Sequence, residues 1–159
     1  MIKQNPVSTH KCEECNICCI VFDISEIKHR AGNLCSKWCQ SIRCTIYDER
    51  PYDCRKFECL WLETQSMPDS WRPDKSNVIM REAEAYGCRI VSFWETKIDA
   101  LKNRDIMAFI KTTLEKGTIV VLRRKDPAGQ YPYYWSPVFP SKDFDPVKAQ
   151  LLMPILKRI

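Results

Sequence analysis

The residues with the clearest chemistry are cysteines. Cys12, Cys15, Cys18 and Cys19 fall in one octet, two overlapping Cys-x-x-Cys steps closed by an adjacent pair. Three thiols spaced this way on one tight loop can converge on a single ion, with backbone N–H groups pointing at the sulfurs. Cys35, Cys39, Cys44, Cys54 and Cys59 follow at irregular intervals. Nine of the ten cysteines therefore lie between positions 12 and 59, and Cys88 stands apart. Zinc takes four sulfur or nitrogen ligands in a tetrahedron, and an iron–sulfur cubane also takes four cysteines. Nine thiols exceed one such site, so two sites and one polynuclear site with bridging thiolates both fit the count. In extended backbone, Cys18 and Cys19 would point to opposite faces and serve different ions, or leave one thiol buried. Cys39 and Cys88 read as packed free thiols. His10 sits two residues before Cys12, near enough to ligate, and His29 reads as a surface or half-buried histidine of a short helix.

The same segment carries a second half-motif, with Cys44, Tyr47, Arg50, Pro51, Cys54, Arg55, Phe57 and Cys59 in order. Together the two halves resemble the CxxCxxCC family, the YkgJ-type cysteine cluster proteins, described as zinc- or iron-chelating. The resemblance covers about residues 12–60. Its eight-cysteine pattern falls on Cys12, Cys15, Cys18, Cys19, Cys35, Cys44, Cys54 and Cys59, and Cys39 and Cys88 lie outside it. It implies metal chelation and no particular reaction. Some members are linked to flagellin lysine methylation, but this chain has no glycine-rich loop for a nucleotide-like cofactor. Arg50 and Arg55 are expected to offset thiolate charge, Tyr47 and Phe57 to pack an apolar wall, and Pro51 to pre-set a helix carrying Cys54 and Cys59.

Something must position these thiols. The chain is 159 residues long, 45% hydrophobic and 28% charged, enough for one domain with its own core. The reading is α+β: a single domain over 1–159, with an irregular, metal-stabilised segment over 12–62 packed on a scaffold over 76–159. That scaffold is expected to be a small antiparallel sheet with one or two helices. Ile20 to Ile24 reads as extended. Asp23 with Glu26 reads as a capping box opening a short helix that Gly32-Asn33 ends. Residues 34–46 read as turn-rich, and a helix is expected from about 51 to 62. Val78–Glu82 and Arg89–Trp94 read as strands paired around Tyr86-Gly87. Ile106, Phe109, Ile110 and Leu114 give helical spacing over 104–116, with Asn103 as N-cap and Gly117 as stop. Thr118 to Arg123 reads as a strand and 126–129 as a turn. An edge strand is expected over Tyr131–Trp135, then a helix from Asp145-Pro146 that Pro154 interrupts.

Residues 1–11 hold no apolar signal core and no stretch reaches 18 apolar residues, so a cytoplasmic location without membrane insertion is expected. In a reducing cytosol, dense cysteine reads as metal binding rather than disulfides. The formal charge of +5 is weak evidence for nucleic acid. Eight thiolates holding two zinc ions carry a net −4, which would leave +1. Arg123-Arg124-Lys125 reads as a solvated strand end, and no recognition helix or long basic stripe appears. Two functions remain. One is a cysteine cluster protein with structural zinc, acting in partner binding or metal handling. The other is an iron–sulfur protein with redox or methyl-transfer-linked activity. Against the second, no His-Glu-x-x-His, Gly-x-Gly-x-x-Gly or Ser–His–Asp pattern is present, and the Cys-Pro that closes a ferredoxin run is missing.

Overall fold

A computed structural model describes residues 10–12, 15–125 and 134–158. The fold is α+β, with an irregular N-terminal segment and a four-stranded sheet flanked by helices.

The N-terminal segment contains only short elements. Helix α1 is one turn, Cys18–Val21. This replaces the extended run expected after Cys19. The expected capping-box helix is a 3-10 turn, Ser25–Ile27, which no side chain caps. Lys28 takes a left-handed conformation there, and Ile24 pairs with His29 in an isolated bridge. The two capping carboxylates act elsewhere. Asp23 accepts from the Ala31 N–H at 3.0 Å, and Glu26 from the Tyr52 N–H at 2.7 Å. Strands β1 (Trp38–Cys39) and β2 (Arg43–Cys44) form a two-residue antiparallel ribbon. The helix expected from 51 to 62 is split into α2 (Tyr52–Lys56) and α3 (Leu60–Glu63). Phe57 and Cys59 are extended at the break, which turns Leu60 and Trp61 into the core. Helix α4 (Pro73–Ser76) ends on left-handed Asn77 and leads into the sheet.

Strands β3 (Val78–Ala85) and β4 (Cys88–Glu95) form the expected hairpin. Tyr86 and Gly87 both have positive φ, 50° and 67°, the requirement of a tight turn matching strand twist. Helix α5 (Arg104–Glu115) matches its expected bounds. The Asn103 side chain accepts from the Asp105 and Ile106 N–H groups, and Gly117 follows at φ 79°. Strand β5 (Ile119–Arg124) then pairs with β4 in parallel, and β6 (Tyr134–Val138) pairs with β5 antiparallel. The four-stranded sheet is therefore mixed, not wholly antiparallel as expected. The α5 crossover is what permits the parallel ladder. The expected turn at 126–129 and the expected strand's first residues lie outside the described residues. The final strand occupies an edge, as expected, in the order β3-β4-β5-β6.

Alternation divides the strands between two faces. Val78, Met80, Val91, Phe93 and Val120 face Leu60, Leu101 and Ile106. On the other face, Ile90, Ile119 and Val121 meet Leu152 and Leu156 of α6 (Pro146–Leu156). Asp145 caps α6 through the Val147 and Lys148 N–H groups. The helix passes through Pro154, contrary to expectation. A proline inside a helix costs about 3 kcal/mol. Full burial of two leucines contributes about 3–6 kcal/mol, enough to offset it. Arg123, expected to be solvated, is instead 6% exposed. It lies 4.3 Å over the Trp94 ring and donates to the carbonyls of Leu156 and Lys157 that end α6.

A candidate metal centre

The face bearing Leu152 and Leu156 contacts is only partly covered by α6. Its β3 side, with Ile79, Arg81 and the β4 residue Trp94, forms one wall of a cleft of about 1080 Å³. The irregular N-terminal segment forms the other wall. Phe22 stands edge-on to Trp94 with ring centres 5.1 Å apart, and meets Phe57 at 4.5 Å. Cys12, Cys15, Cys18, Cys19, Cys35, Cys44, Cys54 and Cys59 all line this cleft, and Cys39 and Cys88 do not. All ten are unpaired thiols.

Local backbone bonds explain the convergence. The α1 turn, held by Cys19 N–H to the Asn16 carbonyl, brings Cys18 and Cys19 to the same cleft rather than to opposite faces. Gly32 and Cys35 fold back on that turn, donating to the Ile20 and Cys19 carbonyls at 2.7 and 3.0 Å. Gly32 has φ 92°, a conformation that favours glycine. The Lys37 N–H donates to the Cys35 sulfur at 3.5 Å, and the ribbon sets Cys44 opposite Trp38. Glu26 anchors the first residue of α2, which carries Cys54. Cys59 is the N-cap of α3.

Mutual influence separates the thiols into two neighbourhoods. The Cys18 thiol hydrogen bonds Cys12, which holds the Cys12 pKa down at about 7 against the opposing effect of burial. Arg50 and Arg72 lower it further. Cys15 and Cys59 also feel Cys12, but burial dominates and raises them to about 12 and about 11. Cys54 belongs to another group. Burial, then the charges of Cys19, Cys35 and Cys44, push it up to about 11. Cys18 is the seam: its hydrogen bonds to Cys12 and Cys19 hold it well above the ordinary thiol value, and they lower Cys19. Cys15 and Cys59 thus neighbour Cys12, and Cys19, Cys35 and Cys44 neighbour Cys54, while Cys18 and the charge of Cys12 on Cys19 join the two groups.

Thiols are a donor type that zinc takes. Among the described residues, no three His, Cys, Asp or Glu side chains are arranged to hold one ion. Neutral thiols have no reason to draw together; thiolates around a dication do.

Other expected residues divide. Arg50 lines the cleft, with its Nε donating to the Tyr47 carbonyl at 2.8 Å and its guanidinium 3.7 Å from the Tyr47 ring centre. Arg55 is exposed and does not line it. His10 lines it, stacked on Trp61 at 4.0 Å with Nδ1 2.7 Å from the Trp61 carbonyl. That contact makes Nδ1 the protonated nitrogen. His29 is buried and does not line the cleft, and its Nε2 has no hydrogen-bond partner among the described residues. Cys39 lies on the ribbon 3.7 Å from the Ser41 hydroxyl, not packed as expected. Cys88 packs beside the Ile90–Leu152 core, as expected. Ile79, Arg81, Trp94, Phe22 and Arg158 had no place in the sequence-derived site. One signal was available: across the Tyr86-Gly87 turn, Ile79 pairs with Trp94, and Arg81 follows two residues along the same face.

No family model, no curated protein and no solved structure matches this chain.

Proposed function

We propose that this is a metal-binding cysteine cluster protein of the CxxCxxCC kind, holding two structural zinc ions and acting in partner binding or metal handling. The observation that carries the reading is selectivity. Of ten cysteines, the eight in the motif line one cleft, and the two outside it do not. The first ion would take Cys12, Cys15, Cys18 and Cys59, and the second Cys19, Cys35, Cys44 and Cys54. Zinc so ligated has no open position and supplies folding free energy rather than reaction chemistry. Arg50 supports this arrangement because its charge already lowers Cys12 and Cys19, favouring the thiolate form that binds metal. Ten unpaired thiols suit a reducing compartment such as the cytoplasm. No helix among the described residues is long and apolar enough to cross a membrane.

Elemental analysis and a visible spectrum of anaerobically purified protein test the proposal. Two zinc ions per chain and a colourless solution are expected. Cys54→Ala should lose one equivalent. Stoichiometric iron with acid-labile sulfide would replace zinc by an iron–sulfur cluster. The Cys12–Cys18–Cys19 contact chain, which joins the two groups, would then form part of one polynuclear site.

A further inference from the structure

Residues 67–75 hold no cysteine and no histidine, so nothing in their sequence suggests a part in metal binding. In the structure they reach the thiols. Pro73 of α4 is buried and lines the cleft. Its two neighbours, Arg72 and Asp74, form a fork: Arg72 Nε donates to Asp74 Oδ1 at 2.7 Å, and a terminal guanidinium nitrogen to Oδ2 at 2.9 Å. Both side chains are largely withdrawn from solvent, at 14% and 25% exposure.

This turn meets the cysteines in two ways. The Asp74 backbone N–H donates to the Cys15 sulfur, and Cys15 is itself buried. The Arg72 charge bears on Cys12 and is in turn felt by Cys15. The Asp74 carboxylate opposes Arg72 at Cys12, but its effect is the smaller. Arg50 also acts on Cys12, yet it reaches Cys19 and Cys54 as well. Asn77, left-handed at φ 57°, ends α4 and delivers the chain into β3. One turn therefore ties a buried thiol to the sheet. Thiolates gathered on a dication carry excess negative charge, and groups that donate to sulfur or bring positive charge stabilise it.

We propose that Arg72 and Asp74 are positioning residues of the metal centre. The Asp74 N–H fixes the Cys15 sulfur, and the Arg72 guanidinium, braced by the Asp74 carboxylate, offsets thiolate charge at Cys12 and Cys15. The proposal rests on the metal reading but on no assignment of the remaining sulfurs.

Cobalt(II) is the probe, because its visible absorption reports thiolate ligation. Chelator competition on the full chain gives the affinity of each bound ion. Arg72→Gln keeps a hydrogen-bonding side chain without charge, and should weaken one ion about tenfold while any other stays unchanged. It should also raise the pH of half-loading, since the ligating thiols then give up protons less readily. Arg72→Lys restores the charge and should recover most of the loss. Lys75→Met, on the same turn but paired with Asp69, should change neither quantity. A turn needed only for folding would instead make Arg72→Gln and Arg72→Lys alike and leave the pH of half-loading in place. A second measurement needs no substitution and stands if Arg72→Gln folds poorly. With a spin-active cadmium isotope bound, the Asp74 amide proton should couple to the metal through the Cys15 sulfur. Unchanged affinity in Arg72→Gln, equal losses in the two Arg72 variants, or no coupling with cadmium bound would each overturn the proposal and leave the metal reading intact. An unsubstituted chain that binds none of cobalt, zinc and cadmium would overturn both.

Discussion

Individual thiols in the cleft differ enough to be told apart by reagent. In the metal-free, reduced protein, Cys12 ionises near pH 7 because Cys18 donates to it. Cys39 is also lowered, by Ile42 and Ser41 hydrogen bonds. Burial holds Cys15, Cys54 and Cys59 protonated to about pH 12, 11 and 11. Iodoacetamide at pH 7.5, a condition near ~7 where thiolate fraction sets reactivity, should therefore label Cys12, Cys19 and Cys39 first. Zinc should then protect Cys12 and leave Cys39 reactive, as peptide mass mapping would reveal. Equal labelling of all ten would contradict these environments. The raised group also sets a pH dependence. Above the ordinary thiol value of 9.0, the unfolded chain gives up protons that the fold retains at Cys15, Cys54 and Cys59. The unfolded state then binds fewer protons, so stability falls as pH rises through that window. Thermal melts of metal-free protein should drop between about pH 9 and 11, and Cys15→Ser should flatten the drop.

At the scale of elements, what was legible depended on how locally each was determined. Helix α5 could be read to within one residue because its cap, apolar stripe and glycine stop lie within fifteen positions, and the structure uses all three. The β3–β4 hairpin was legible for the same reason. The parallel pairing of β4 with β5 was not, since Ile119–Val121 is buried on both faces and a continuous apolar run carries no direction. Arg123 misled because a short basic run looks solvated, whereas Trp94 and the end of α6 give it partners from distant sequence. The motif cysteines could be listed from sequence, but their grouping could not, because it depends on which turns fold back on α1. Glu26 shows the difficulty: it resembles a local cap and instead anchors Tyr52, 26 residues on. Glu26→Ala should therefore release α2 and weaken zinc at the Cys54 group about tenfold, without touching a ligand. Competition with a chromophoric chelator would measure it. Asn103→Ala, by contrast, should cost about 1 kcal/mol in denaturant unfolding and leave zinc affinity alone.

For the whole molecule, the distribution of buried residues determines what metal removal can do. The N-terminal segment was expected to owe its folding to metal, and its elements are too short to stand alone: α1, α2 and α3 have four, five and four residues. The sheet has a core of its own. Phe93, Ile79, Met80, Ile90, Ile119, Leu152 and Leu156 are fully buried, and most of them pack against the sheet's own helices or strands. Of the segment's residues, Leu60 is the one buried in that core. Chelation should thus produce a protein with two levels of order. Amide exchange should become fast through most of 12–59 and stay slow in β3, β4 and β5. The melting temperature should fall without the transition disappearing. Leu60→Ala in the zinc-loaded protein should test the link between the two parts. It opens a cavity against Met80 and Val78, costing about 2–5 kcal/mol, and should lower the sheet's own stability even while the ions remain bound. Loss of all slow exchange on chelation would mean instead that the ions hold the sheet together. Unchanged exchange in 12–59 after verified metal removal would mean that they hold neither part.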